Sequence, residues 1–227
     1  MWRRDVGTAG AGRTDAGVHA VGQVMSTSDA PDDCRPDEVM ASLNRMCGPS
    51  IAVFSCRSAA PDFHARFSAR SRTYVYAVLN SPHGDPWLAK TALHHAVPLN
   101  VDAMNEGAGH LVGPHDFRSF GRLPDPEASA ERVLYELRCD REGSVIRVRA
   151  RANAFIHQMV RSLVGTLIAV GDGRRKPEDM VGVLEARDRA AAGPVAPPHG
   201  LCLVSVEYDE GWSKPLDPGL PLFDQGK

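Results

Sequence analysis

Lysine is almost missing from this chain of 227 residues: Lys90, Lys176, Lys214 and Lys227 are all there is, so 22 of the 26 basic residues are arginine. A guanidinium grips phosphate through two parallel bonds and stacks on bases, which an ammonium cannot do. The imbalance suits a nucleic-acid partner, and it equally suits a GC-rich coding sequence. An overall basic excess is also lacking. With 28 acidic residues the net charge is −2 and the pI about 6.5, which excludes the uniformly cationic class of nucleic-acid binder. Paired cysteines are absent too: Cys34, Cys47, Cys56, Cys139 and Cys202 are odd in number and form no CxxC, which argues against a disulfide framework or structural zinc and for a reducing compartment. The longest apolar run in a helical context, Leu163 to Val170, is far too short to span a bilayer, and MWRRDVGT contains nothing like a signal peptide. A cytoplasmic protein with no membrane association is expected. What is present, 43% apolar and 24% charged residues, describes an ordinary globular chain.

Local patterns predict an α+β protein. Strands are expected over 17–26, 50–56, 72–80 and 200–209, with two more around the DREG turn in 131–155. Helices are expected over 36–48, with Pro at the start and Gly at the stop, over 100–113, and over 176–188. The clearest helix is 155–171, where Ile156, Met159, Val160, Leu163, Val164, Leu167 and Ile168 form one apolar stripe. On that helix His157 and Arg161, four apart, would point the same way. Arg147, Arg149 and Arg151 alternate with apolar residues, so three guanidinium groups line one face of a strand, either solvated or facing RNA. The order suggests two α+β halves, 1–61 and 62–211, with helices on one face of a mostly antiparallel sheet, followed by a Pro-rich tail, 212–227.

The stretch AGRTDAGVHAVGQV, Ala11 to Val24, places Arg13 and Asp15 in a turn too rich in Gly and Ala to build a core. Asp15 either caps that turn or is held there for chemistry, with Arg13 near enough to orient it. Neither His19, His64, His94, His95, His110, His115 and His157, seven of the nine histidines, nor the cysteines show a metal-ligand spacing, and GTAGAGR at Gly7 to Arg13 lacks both nucleotide-loop patterns. No metal and no cofactor are expected. The turn GDGRRKP, Gly171 to Pro177, reads either as a phosphate contact or as a plain connection between helices.

GRTDAGVHAVGQV strongly resembles the signature of the TruA family of tRNA pseudouridine synthases. Further blocks match in the same order: NRMCGPSIAV, DFHARFSARSRTYVYAVLN, GPHDFRSF, RANAFIHQMVRSLVGTLIAVGDG and APPHGLCLVSVEY. The resemblance implies two ferredoxin-like (RRM-like) halves around a central RNA-binding cleft, a homodimer, and isomerisation of uridine at positions 38 to 40 of the tRNA anticodon arm. It makes Asp15 the nucleophile and gives Arg13 the displacement of the target uridine. Tyr74 would pack on the uracil, and Arg161 would pair with Asp15. The family's YDGT-type and GWQ-type stretches do not precede the loop here, which implies a start lying upstream or a degraded copy. The alternative function is therefore a catalytically inactive tRNA-binding or dimerising remnant. An unrelated hydrolase using Asp15 with a His base is disfavoured, since no Ser or Cys stands in an elbow-like context.

Overall fold

The computed structural model describes residues 5–123, 125 and 127–209; the expected tail lies outside them. In chain order its first elements are β1 (Ala9–Gly10), β2 (His19–Ala20), β3 (Met25–Ser26), α1 (Pro36–Cys47), β4 (Ser71–Asn80), β5 (Leu93–His95) and α2 (Val101–Gly109). There follow β6 (Gly113–Asp116), β7 (Glu131–Glu142), β8 (Val145–Ala152), α3 (Met159–Gly171), α4 (Asp179–Ala186) and β9 (Leu201–Glu207). These form two compact units. The smaller runs up to Ala11 and resumes at Val24–Ser68; the larger comprises Gly12–Gln23 and the chain from Ala69 onward.

In the smaller unit β1 pairs antiparallel with β3, and α1 follows. Pro36 opens this helix, and Asp37 and Glu38 meet the positive end of its dipole. The strand expected over 50–56 is not formed. There the side chain of Asn44 takes both backbone groups of Val53, donating to its carbonyl at 2.9 Å and accepting from its N–H at 2.6 Å. Bonds of this kind divert a β-prone segment from a ladder.

The larger unit is a mixed sheet in the order β2-β9-β4-β8-β7-β6, with β5 added beside β4. All its ladders are antiparallel except β2 with β9 and β4 with β5. Its long elements run β4, α2, β7, β8, α3, β9, a β-α-β-β-α-β order with β9-β4-β8-β7 adjacent in the sheet. The central strand β4 is buried along nearly its whole length: its run Tyr74 to Leu79 is apolar and aromatic, and Ser71, Arg72 and Thr73 are buried with it. Tyr74, Tyr76 and Val78 stand opposite Ala150, Val148 and Ile146 of β8. The alternate face carries Val75, Ala77 and Leu79, which cluster with Ala92, Cys202 and Val204 beneath Leu88 and Val21. Asn105 of α2 bonds both backbone groups of Cys139 in β7, fastening helix to sheet.

Three expected elements change shape. The strand over 17–26 breaks into β2 and β3, which belong to different sheets. Gly17 turns the chain at φ +86°, and Gly22 lies so close to β9 that a Cβ would sit 2.2 Å from the Val204 carbonyl oxygen. The helix expected from Phe155 begins only at Met159, because Gln158 is left-handed (φ 64°) and His157 bridges Arg122 instead. The helix over 176–188 is confined to Asp179–Ala186.

Helix α3 is buried all round rather than along one stripe. Residues 193–197 run against it: the Gly193 N–H donates to Thr166 Oγ1 at 2.9 Å and the Ala196 N–H to the Arg161 carbonyl at 3.1 Å. This approach depends on Gly165, where a Cβ would fall 1.8 Å from the Pro194 carbonyl oxygen. Gly165→Ala is expected to cost about 3 kcal/mol, the upper part of the range for overpacking a core, and so to lower the melting midpoint by roughly 6–12 °C. Calorimetry checks this.

Candidate active site

Asp15, Tyr74 and Arg161 meet within the larger unit. Asp15 sits in the turn closed by its own carbonyl, which accepts from the Val18 N–H at 3.0 Å. Arg161, on the first turns of α3, donates from Nη1 to Asp15 Oδ2 at 2.6 Å and from Nε to the Ala196 carbonyl at 2.7 Å. Its side chain is only 13% exposed, so this charge-assisted bond is shielded from water. The planar guanidinium thus links the Asp15 turn on one edge to the 193–197 segment on the other. Tyr76 holds the same segment, its hydroxyl donating to the Pro197 carbonyl at 2.8 Å.

Tyr74 stands on β4 with the ring of Phe155 edge-on to it, centroids 5.2 Å apart at 90°. A Cβ on Gly12 would lie 3.1 Å from the Tyr74 hydroxyl oxygen, so glycine at that position lets the phenol approach the backbone of the Asp15 turn. Burial pushes the Tyr74 phenol up to about 12, with Asp15 reinforcing the shift and Arg72 opposing it. Tyr208 is pushed up to about 12 by burial as well, again against the pull of Arg72. Since the folded values lie above the ordinary 10, the contribution of these phenols to stability is intact below pH 10 and is lost as pH rises from 10 towards 12. The expected result is that neither tyrosine ionises near pH 10 in the folded protein, as followed by near-ultraviolet titration with Tyr74→Phe and Tyr208→Phe for assignment.

Arg13 is brought to the turn but not to the carboxylate. Its side chain is exposed and makes no hydrogen bond or ion pair among the described residues. The second partner of Asp15 is His157, whose Nε2 lies 3.1 Å from Oδ1. The sequence places His157 four residues before Arg161, pointing the same way; both reach Asp15, but His157 does so from outside the helix.

The other basic features are internally engaged. Arg147 pairs with Glu142 at 2.6 Å, Arg149 with Glu136 at 3.3 Å and Arg151 with Glu207 at 3.6 Å, so that strand face is a lattice of mixed charge rather than a row of free cations. In the 171–177 turn Arg174 is held by Asp172, and Arg175 donates to the Ala191 carbonyl at 2.7 Å, as a connection between helices requires. No group of three or more His, Cys, Asp or Glu able to hold a metal ion occurs among the described residues, and none of their helices is long and apolar enough to cross a membrane.

A carboxylate fixed through both oxygens beside a buried phenol can act as a nucleophile or base on a planar ring. Comparison with known proteins gives that geometry its context. Residues 108–209, which include His157 and Arg161, match the family described as tRNA pseudouridine synthase. The tRNA pseudouridine synthase A of Gluconobacter oxydans is 39% identical over 210 residues, covering 91% of this chain and 76% of that protein. That of Paramagnetospirillum magneticum is 43% identical over 205 residues, covering 90% and 80%, and that of Xanthomonas euvesicatoria 42% over 208 residues, covering 91% and 80%. The chain belongs to the tRNA pseudouridine synthase family. As a tRNA pseudouridine synthase it is an isomerase, with an α/β fold built on a mostly antiparallel sheet.

Proposed function

We propose that the protein converts uridine to pseudouridine at positions 38, 39 and 40 of the tRNA anticodon arm, with Asp15 as nucleophile. The observation that carries this reading is the clamp on Asp15, whose two carboxylate oxygens are held by Arg161 and His157 at 2.6 and 3.1 Å. The reaction breaks the N1–C1′ bond and forms a C5–C1′ bond; C5 gives up its proton and N1 gains one, so no atom or electron is left over. Asp15 would attack C1′ or C6, with the guanidinium of Arg161 balancing its charge. Tyr74 would pack on the detached uracil and keep water from it. Because C1′ and the ring are shielded in a stacked nucleotide, the uridine must be flipped out, and Arg13, which is exposed, would take its place and hold the backbone.

The wider proposal is a cytoplasmic homodimer that reads tRNA by shape. Its chain is divided in sequence near Pro61 into two ferredoxin-like halves around a cleft, with the Pro-rich segment 212–227 as a tail. The β-α-β-β-α-β order and the β9-β4-β8-β7 adjacency of the larger unit support one such half. The test is to map pseudouridine in tRNA transcripts carrying a single uridine at position 38, 39 or 40. Modification at these sites supports the reading. Binding without modification leaves the inactive remnant, and modification confined elsewhere refutes the position assignment.

A further inference from the structure

Resting on that function, we infer that His157 is a positioning residue, and that the backbone before α3 is built to deliver it to Asp15. The segment ahead of the helix departs from regular structure at each step. Gln158 is left-handed at φ 64°, a conformation that costs a non-glycine residue about 1 kcal/mol or more. His157 pairs with Arg122, whose N–H donates to the His157 carbonyl at 3.0 Å. Gly121 lies against the same segment so closely that a Cβ there would be 2.5 Å from Ile156 Cγ1 and 2.7 Å from the His157 carbonyl oxygen. Gly121 is itself extended (φ −163°), a conformation open to any residue, so it is the lack of space that demands glycine.

Had the helix begun at Phe155, as its apolar period suggests, His157 would have been one turn before Arg161 on α3. Unwinding that turn places the imidazole independently of the helix. Arg161 and His157 then take different oxygens of Asp15, Oδ2 and Oδ1. A carboxylate bonded at one oxygen can still rotate about χ2; bonded at both from separate elements, it cannot. With Nε2 donating, His157 fixes the plane in which the remaining lone pairs face a flipped uridine. The imidazole is 53% exposed, so its bond is the more open to water of the two, and its effect is expected to be smaller than that of Arg161.

A double-mutant cycle between His157 and Gly121 tests this, with turnover and tRNA affinity measured separately. His157→Ala is expected to lower kcat about tenfold, the low end for losing a hydrogen bond to a charged group. The tRNA Kd should stay within about threefold, and His157→Gln, which keeps a donor, should recover part of the loss. Gly121→Ala should lower kcat in the wild-type background and add little to His157→Ala. Full additivity of the two, unchanged kcat in His157→Ala, or a kcat loss matched by an equal loss of affinity would each overturn the inference. If His157→Ala has no effect while Asp15→Asn inactivates, only the role of His157 falls. If the unmodified protein is itself inert on tRNA, the proposed function falls and this role with it.

Discussion

Asp15→Asn is expected to reduce turnover by at least about 10³-fold, the scale at which a covalent catalyst loses its nucleophile, while tRNA affinity stays within a few-fold. The substitution is isosteric. The amide oxygen can still accept from Arg161, and the turn closed by the Asp15 carbonyl and the Val18 N–H is untouched. The charge, the nucleophilicity and the acceptor facing His157 Nε2 are removed. Binding by filter retention and single-turnover isomerisation, measured on the same protein, separate the two effects. Retained turnover would remove Asp15 from its role, and a collapse of binding would make it a recognition residue.

Arg161→Ala is expected to lower turnover by about 10²-fold, near the top of the range for a charge-assisted hydrogen bond, and to weaken tRNA binding less. The loss has two parts. Asp15 Oδ2 gives up its 2.6 Å partner and counter-charge, and the Ala196 carbonyl gives up a 2.7 Å donor, so the 193–197 segment loosens along α3 as well. The stability cost should be about 2 kcal/mol, since a partly buried carboxylate is left with only the more exposed His157 as partner. Arg161→Lys should rescue little, because one ammonium cannot span both acceptors as the planar fork does. A defect confined to binding would contradict the pairing with Asp15.

Much of the larger unit was legible from sequence because its signals are local. The β-branched and aromatic run in 72–80 became β4, and the hairpin of β7 and β8 turns at Gly143, which takes φ +58°. The segments that misled are those whose state is decided at a distance. Residues 17–26 carry strand-like residues, yet Gly17 and the contact of Gly22 with β9 divide them between two sheets. Residues 155–158 have helical period, yet Gly121, more than thirty positions earlier in the chain, provides the space that lets them unwind. For the site, no periodicity links Asp15 to Arg161, which lie 146 residues apart; they were paired through the family resemblance. The nearness of Arg13 in sequence suggested a partner for the carboxylate that the structure does not give it: Asp15 is bonded by Arg161 and by His157, which the fold brings in.

Asp15, held by Arg161 and His157, is proposed to isomerise a tRNA uridine. The most direct test is release of tritium from tRNA labelled at C5 of uridine, which accompanies every turnover because C5 must exchange its hydrogen for the bond to C1′. Release by the unmodified chain and none by Asp15→Asn is the expected result. Soluble protein that binds tRNA without releasing tritium, or release that persists in Asp15→Asn, would contradict it.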